Sequence, residues 1–337
     1  MPDTATSVKT RLFEPLTVRG TTLPNRIVVS PLCMYSAVEG LAQPWHFAHL
    51  STFARGKAGL VFTEATAVEA RGRITPNCLG IWTDEQADAL KPITEFVDSM
   101  GCIPGIQLAH AGRKASTRPP FAPGGGQPLT DQDLENGNPP WQAVAPSPLP
   151  VADGWPVPKE LCEAELAEVK AAFVAAARRA IKAGFRAIEL HMAHGYLLHS
   201  FLSPLANHRT DRYGNDLEGR MRFPLEVASA VRAAMPDEVP LFSRISSIDG
   251  PENGWSLDDS VILSARMADA GVDVVDCSSG GISGAPRFRQ DDSGNPLTRD
   301  SARTPGFQVP FARRLRNEAG IMSMAVGVII DPIQAED

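Results

Sequence analysis

Polar, helix-like segments along this chain repeatedly close on glycine, and a short apolar run follows at once. Ala58-Gly59 precedes residues 60–66, and Met100-Gly101 precedes 103–109. Ala183-Gly184 precedes 187–193, Ala270-Gly271 precedes 272–278, and Ala319-Gly320 precedes 322–327. Glycine tolerates the left-handed backbone that ends a helix. The runs that follow are short and rich in β-branched residues, as buried strands are. Two more runs, 26–32 and 240–246, bring the expected strands to seven. Helices alternating with such strands predict parallel βαβ units.

Seven units fit a (β/α)8 barrel or a doubly wound sheet. The sheet usually announces a nucleotide by Gly-x-Gly-x-x-Gly after a strand, and neither that pattern nor a phosphate-loop motif is present. Polar or reactive groups instead end most strands: Cys33, Glu64, Gln107, His191, Arg244 and Ser278. A site assembled from many strand ends favours the barrel. The stretch 119–158 holds eleven of the 29 prolines and the run Gly124-Gly125-Gly126. It is too long for a simple connection. It reads either as a segment covering the strand ends, within one domain spanning 1–337, or as a passive surface excursion.

Composition narrows the classes. A hydrophobic fraction of 43% and a charged fraction of 21% are those of a globular protein. Net charge is −7 with no basic stripe, which argues against nucleic acid as a partner. No apolar run is long enough to span a bilayer, and the first residues lack a secretory pattern. Five scattered cysteines without Cys-x-x-Cys offer neither a zinc ribbon nor an iron–sulfur set, and fit a reducing cytoplasm.

The densest chemistry lies at 187–214. His191 shares a strand face with Glu189, His194 follows three residues on, and Tyr196 two after that. Two imidazoles can donate to one oxygen while a phenol delivers a proton beside it. The same His-x-x-His also reads as a hydrogen-bonded strand-end pair or as part of a metal site, with Asp276 as an acid. Arg244, in an apolar strand, reads alone as a buried ion-pair partner. Cys33 reads as a small buried hydrophobe, and Arg113-Lys114 as a solvated basic pair.

Many ordered segments together resemble the old yellow enzyme family of FMN-dependent ene-reductases. They include Leu12-Phe13-Glu14-Pro15-Leu16, Ser30-Pro31-Leu32-Cys33-Met34-Tyr35, Glu64-Ala65-Thr66, Gly72-Arg73-Ile74-Thr75, Gln107-Leu108-Ala109-His110-Ala111-Gly112-Arg113-Lys114 and the block from His191 to Gly214. The likeness covers most of 11–337. Cys33 with Tyr35 and the run from Gln107 resemble the thermophilic-like, xenobiotic-reductase-like branch.

The resemblance implies a (β/α)8 barrel with FMN over the C-terminal strand ends and NADPH or NADH as reductant. Ser30, Pro31, Leu32, Cys33, Ala65, Gln107 and Arg244 are then the flavin cradle, with Gly327 near the phosphate. His191 and His194 hold a substrate carbonyl oxygen, Tyr196 is the proton donor, and Tyr35 and Cys33 touch substrate. Arg113 and Lys114 leave strand three toward the flavin. The implied reaction moves hydride from NAD(P)H to FMN, then to the β-carbon of an activated alkene, an α,β-unsaturated carbonyl or nitroalkene. Losing one oxyanion donor costs on the order of 3 kcal/mol in such reactions.

The sequence departs from the family pattern at its end. It stops at Asp337, inside the expected seventh helix, whereas the family continues through an eighth βα unit. That unit carries a Gly-Arg grip on the FMN phosphate and, in this branch, an arginine reaching a neighbouring subunit of a homo-oligomer. The expectation is therefore a barrel ending after strand seven. A metal-dependent barrel hydrolase and a non-catalytic remnant are the rival readings.

Overall fold

The computed structural model describes residues 10–282 and 304–336. The N-terminal stretch examined above for a leader lies outside them. Seven parallel strands form the main sheet: β1 (Val28–Val29), β2 (Leu60–Ala67), β3 (Ile103–Ala109), β4 (Ala187–Met192), β5 (Leu241–Ser246), β6 (Val274–Ser278) and β7 (Met322–Ala325). They neighbour one another in strict chain order from β1 to β7. All seven expected strands are present. Six match within two residues at each end. β1 is far shorter than 26–32, because it pairs through only Val28 and Val29 and Pro31 then removes a ladder donor.

The connecting helices are α1 (Pro44–Arg55), α2 (Asp84–Ser99), α3 (Glu163–Lys182), the short α4 (Leu197–Leu202), α5 (Leu217–Ala234), α6 (Leu257–Asp269) and α7 (Val309–Ala319). Local chemistry fixes their ends. Thr83 and Gln86 cap α2 reciprocally, and Ser256 and Asp259 do so for α6. Four of the five expected glycine stops hold positive φ: Gly101, Gly184, Gly271 and Gly320. The exception is after α1, where Lys57 takes the left-handed turn. Gly59 is instead required for space, since a Cβ there would lie 2.2 Å from the Asn25 carbonyl oxygen.

The sheet curls. In sheet order β2 and β5 are three steps apart, roughly 14 Å in a flat sheet. Yet the rings of Phe62 on β2 and Phe242 on β5 meet edge-on with centroids 5.5 Å apart. The concave face therefore folds onto itself. Its lower layer is apolar: Leu60, Phe62, Ile103, Ala187, Phe242 and Val274 pack with Val18 and Leu23. The last two belong to a hairpin, Leu16–Val18 paired with Thr21–Leu23, which plugs the N-terminal end of the strands. The convex face carries Val61, Ile106, Leu108, Ile188, Leu190, Val275 and Cys277 into the helices. Above the apolar layer, toward the C-terminal strand ends, the concave positions turn polar: Gln107, Glu189, His191, Arg244 and Asp276.

Candidate active site

Sheet register assembles this polar layer. Ala65 pairs with Gln107, Gln107 with Glu189, His191 with Arg244, and Arg244 with Asp276. Residues from five strands thus meet toward one end of the sheet. His191 is buried, and its Nδ1 accepts a hydrogen bond of 3.2 Å from the Ala193 backbone N–H. In the neutral ring the proton then sits on Nε2, making that nitrogen a donor. Burial first, and then the charges of Arg244, His199 and Lys114, hold this imidazole well below its ordinary 6.5.

The chain turns sharply after β4. His194 takes φ +60°, its N–H donates to Ser246 Oγ at 2.9 Å, and its Nε2 lies 2.6 Å from Ser278 Oγ. Lys114 Nζ donates to the His194 carbonyl at 2.7 Å and sits 5.6 Å from the Tyr196 ring centroid. The His191 ring is 5.1 Å from that of His194 and 4.8 Å from that of Tyr196, and the latter two are 6.5 Å apart. All three pairs are nearly perpendicular. The turn is pinned from behind by His199, whose Nδ1 accepts from the Gly195 N–H at 2.8 Å and whose Nε2 lies 2.9 Å from Asp249 Oδ1.

The loop after β1 brings in Cys33 and Tyr35. Their side chains lie against each other, and Cys33 also lies near the Ala65 backbone. Burial, then Cys78 and Glu64, push the Cys33 thiol well above the ordinary thiol range. Glu64 holds this loop from below: its Oε2 accepts from the Met34 N–H at 3.3 Å, and its Oε1 faces buried His46 at 3.1 Å. A register shift between Phe62 and Ala65 accompanies this. Tyr35, at φ +51°, meets the edge of Phe121 with centroids 6.0 Å apart. Trp141, farther along the Pro-rich stretch, packs with Ile74 and Tyr196 on a small cluster of Ala111, Ala115 and Ala143.

Other expected residues lie nearby. Ser30 and Leu32 border a hollow shared with His49 and Phe53 of α1, and Leu32 is 71% exposed. Pro31 is half-buried between them. Gly327 follows β7, and its carbonyl accepts from the Gly306 N–H at 3.1 Å. Gln308 ties this loop to the end of β6, donating to Val326 O and accepting from Ser279 Oγ, each at 2.7 Å.

Three readings need correction. Arg113 and Lys114 are not a solvated pair. Arg113 is buried and donates to the carbonyls of Leu149, Pro150 and Ile282, so it braces backbone instead of reaching the strand ends. Lys114 braces the His194 turn. Asp276, weighed as a ligand with His191 and His194, is held beneath Arg244 with Oδ2 3.3 Å from Nε. Among the described residues no group of three His, Cys, Asp or Glu side chains is placed to hold a metal.

The residues suit a flavin. Arg244 is buried, and its Nε makes no aligned hydrogen bond among the described residues, so the guanidinium has donor capacity to offer a ligand. Gln107 donates one amide N–H to Glu189 Oε1 at 2.8 Å, which leaves its carbonyl oxygen and its second N–H for a ligand. Guanidinium donors, an amide acceptor and the small Ala65 in adjacent register match the carbonyl and N–H edge of an isoalloxazine.

Comparison with known proteins agrees. The family model for NADH:flavin oxidoreductase / NADH oxidase matches residues 11–337. The chain belongs to this family. An NADPH dehydrogenase of Geobacillus sp. (strain WCH70) is 42% identical over 332 residues, 98% of this chain and 86% of that protein. The NADPH dehydrogenase of Bacillus subtilis (strain 168) is 40% identical over 329 residues, 97% and 86% respectively. Among solved structures, morphinone reductase aligns with TM-score 0.73 at 26% identity, over 97% of this chain and 82% of that one. The old yellow enzyme homologue from Zymomonas mobilis aligns with TM-score 0.70 at 25% identity, over 93% and 88%. This member of the NADH:flavin oxidoreductase family is therefore a flavin-dependent NAD(P)H oxidoreductase of old yellow enzyme type, with FMN as cofactor. Its parallel strands are those of a TIM-barrel sheet. Among the described residues no helix is long and apolar enough to cross a membrane.

Proposed function

We propose that this enzyme is an ene-reductase acting on small activated alkenes, α,β-unsaturated carbonyl compounds or nitroalkenes. The observation that carries the reading is the convergence of His191, His194 and Tyr196, with ring centroids 4.8 to 6.5 Å apart. FMN, once bound and reduced by NAD(P)H, supplies the hydride for the β-carbon. The protein does the rest. His191, kept neutral with its proton on Nε2, donates to the substrate oxygen, and His194 donates beside it. The oxygen gains negative charge as the alkene is reduced, and donors already in place stabilise that charge without reorganising. Tyr196 delivers a proton to the α-carbon. A phenol of ordinary pKa about 10 carries its proton at neutral pH and still protonates a basic enolate.

In this reading Ser30, Pro31, Leu32, Cys33, Ala65, Gln107 and Arg244 hold the flavin ring, with Gly327 toward its phosphate. Cys33 and Tyr35 form a substrate wall, which Phe121 extends. One domain spans 1–337, with 119–158 as the cover. The free cysteines agree with a cytoplasmic setting. The test is a titration of the holoenzyme with a para-substituted phenol, followed by turnover of cyclohexenone with NADPH. A long-wavelength charge-transfer band and saturated product are expected. Absence of both with FMN retained overturns the reading.

A further inference from the structure

Beneath Arg244 lie two carboxyl groups that the reaction above does not use. Glu189 and Asp276 are each 0% exposed. Glu189 stands beside Gln107 and Asp276 beside Arg244 in the sheet register, so both carboxyls lie in the same buried layer, where each bears on the other's charge. Around them stand one cation, Arg244, and one amide, Gln107. Gln107 satisfies Glu189 Oε1, while Glu189 Oε2 and both oxygens of Asp276 have no hydrogen-bond donor among the described residues. Two buried anions against one guanidinium would leave an uncompensated charge, a costly state in a protein interior. A single proton removes the difficulty. It turns an acceptor facing an acceptor into a donor facing an acceptor, and it leaves one negative charge against one positive charge.

We propose that Glu189 and Asp276 share one proton, Glu189 as the acid and Asp276 as the carboxylate, and that this pair sets the charge behind Arg244 where the flavin binds. Glu189 keeps its proton for two reasons: full burial, and the charge of Asp276, both of which penalise its anion. Asp276 is the partner nearer the guanidinium, at 3.3 Å, which favours its ionised form. Its carboxylate is close to Nε of Arg244 without the alignment of a hydrogen bond, so it balances charge without taking up a donor of the guanidinium. Glu189 and Asp276 are positioning residues: they act on the flavin through Arg244 and Gln107. With both carboxyls ionised, the site would oppose negative charge on the reduced ring. With one proton present, the charges of Arg244 and Asp276 cancel and that opposition is removed.

The inference rests on the placement of the flavin over Arg244 proposed above, and the test separates the two. Infrared spectra of the holoenzyme at neutral pH, in H2O and in D2O, show the carbonyl stretch of a protonated carboxylic acid. The band moves on 13C-glutamate labelling and is absent from Glu189→Gln. The amide of that variant keeps a donor toward Asp276 and is neutral, as the acid is, so the flavin reduction potential stays at the wild-type value. An ionised Glu189 predicts the reverse: no such band in the wild type, and a higher potential in Glu189→Gln because a negative charge is lost. Either result overturns the shared proton. The labelling arm uses wild-type protein alone and decides the matter even where the variant fails to fold. Arg244→Lys that leaves FMN affinity and potential unaltered overturns the flavin placement and not the proton, since the band does not depend on the flavin.

Discussion

The hydroxyl of Ser278, at the end of β6, lies 2.6 Å from Nε2 of His194, beyond the end of β4. The two are 84 positions apart, and the contact orients the ring that stands beside His191. A hydrogen bond between neutral groups contributes about 0.5–1.5 kcal/mol. Ser278→Ala should therefore weaken binding of a para-substituted phenol by roughly twofold to tenfold. His191→Ala removes a donor to a phenolate, worth about 1.5–3 kcal/mol, and should weaken it by roughly 10-fold to 150-fold. Titration of the charge-transfer band ranks the variants. Wild-type affinity in Ser278→Ala would show that the serine does not orient the imidazole.

His191 makes stability depend on pH. Its folded-state pKa is well below 6.5, whereas an unfolded chain titrates it near 6.5. Above that value both states hold the ring neutral, and the residue adds no slope. As pH falls below it, the unfolded state takes up a proton that the folded state refuses, so stability drops by up to about 1.4 kcal/mol per pH unit. His191→Asn removes this proton uptake. Melting temperatures between pH 7 and 5 should fall less steeply for the variant than for the wild type. Parallel slopes would mean that the folded protein protonates His191 readily.

Tyr196→Phe removes the proposed proton donor while keeping the ring that packs with Ile74 and Trp141. Alkene reduction needs a proton delivered to carbon, and reduction of the flavin by NAD(P)H does not. The alkene half-reaction should slow by about 10²–10⁴-fold, the usual contribution of a positioned acid. Flavin reduction should be little changed. Stopped-flow measurement of each half-reaction decides it, and equal slowing would assign the phenol a structural role.

Cys33 and Cys162 test the environment of the loop after β1. Cys162 is exposed before α3, and Cys33 is half-buried with its pKa pushed up by burial, Cys78 and Glu64. Alkylation proceeds through the thiolate. Iodoacetamide at mildly alkaline pH should label Cys162 before Cys33, as followed by peptide mass spectrometry. Faster labelling of Cys33 would mean that a cation other than those the described residues place around it activates the thiol.

The strands and the catalytic face were legible because both are local. Period-two alternation puts Glu189 and His191 on one face whatever surrounds them, and glycine stops mark where five of the seven strands begin. Partners far along the chain were not legible. Arg113 read either as a solvated cation or as a group leaving strand three toward the flavin, because nothing near it in sequence names the carbonyl of Ile282, 169 positions away, that receives it. Asp276 read as a metal-site acid because only register reveals that it stands opposite Arg244. Glu64 read as a strand-end group, and its hold on the Met34 N–H depends on an irregularity in β2 that no residue pattern announces. The proton between Glu189 and Asp276 needed burial as well as proximity.

The turn bearing His194 and the loop after β6 touch through backbone, and that contact can be tested by adding one carbon. Gly281 has φ +92°, and a Cβ on it would lie 2.6 Å from His194 Cα. Gly101, after α2, has φ +80° with no atom within 4 Å of such a Cβ. Both glycine-to-alanine changes therefore incur backbone strain, of order 1–3 kcal/mol. Gly281→Ala alone must also displace the turn carrying His194, and that turn is held by Ser246, Ser278 and Lys114. Both variants should melt at lower temperature. Gly101→Ala should bind the phenol with wild-type affinity, and Gly281→Ala should lose affinity at least as severely as Ser278→Ala, because the whole turn shifts and not one hydrogen bond. If the two variants bind phenol alike after matching for folded fraction, the close approach does not position His194, and its placement rests on side-chain contacts alone.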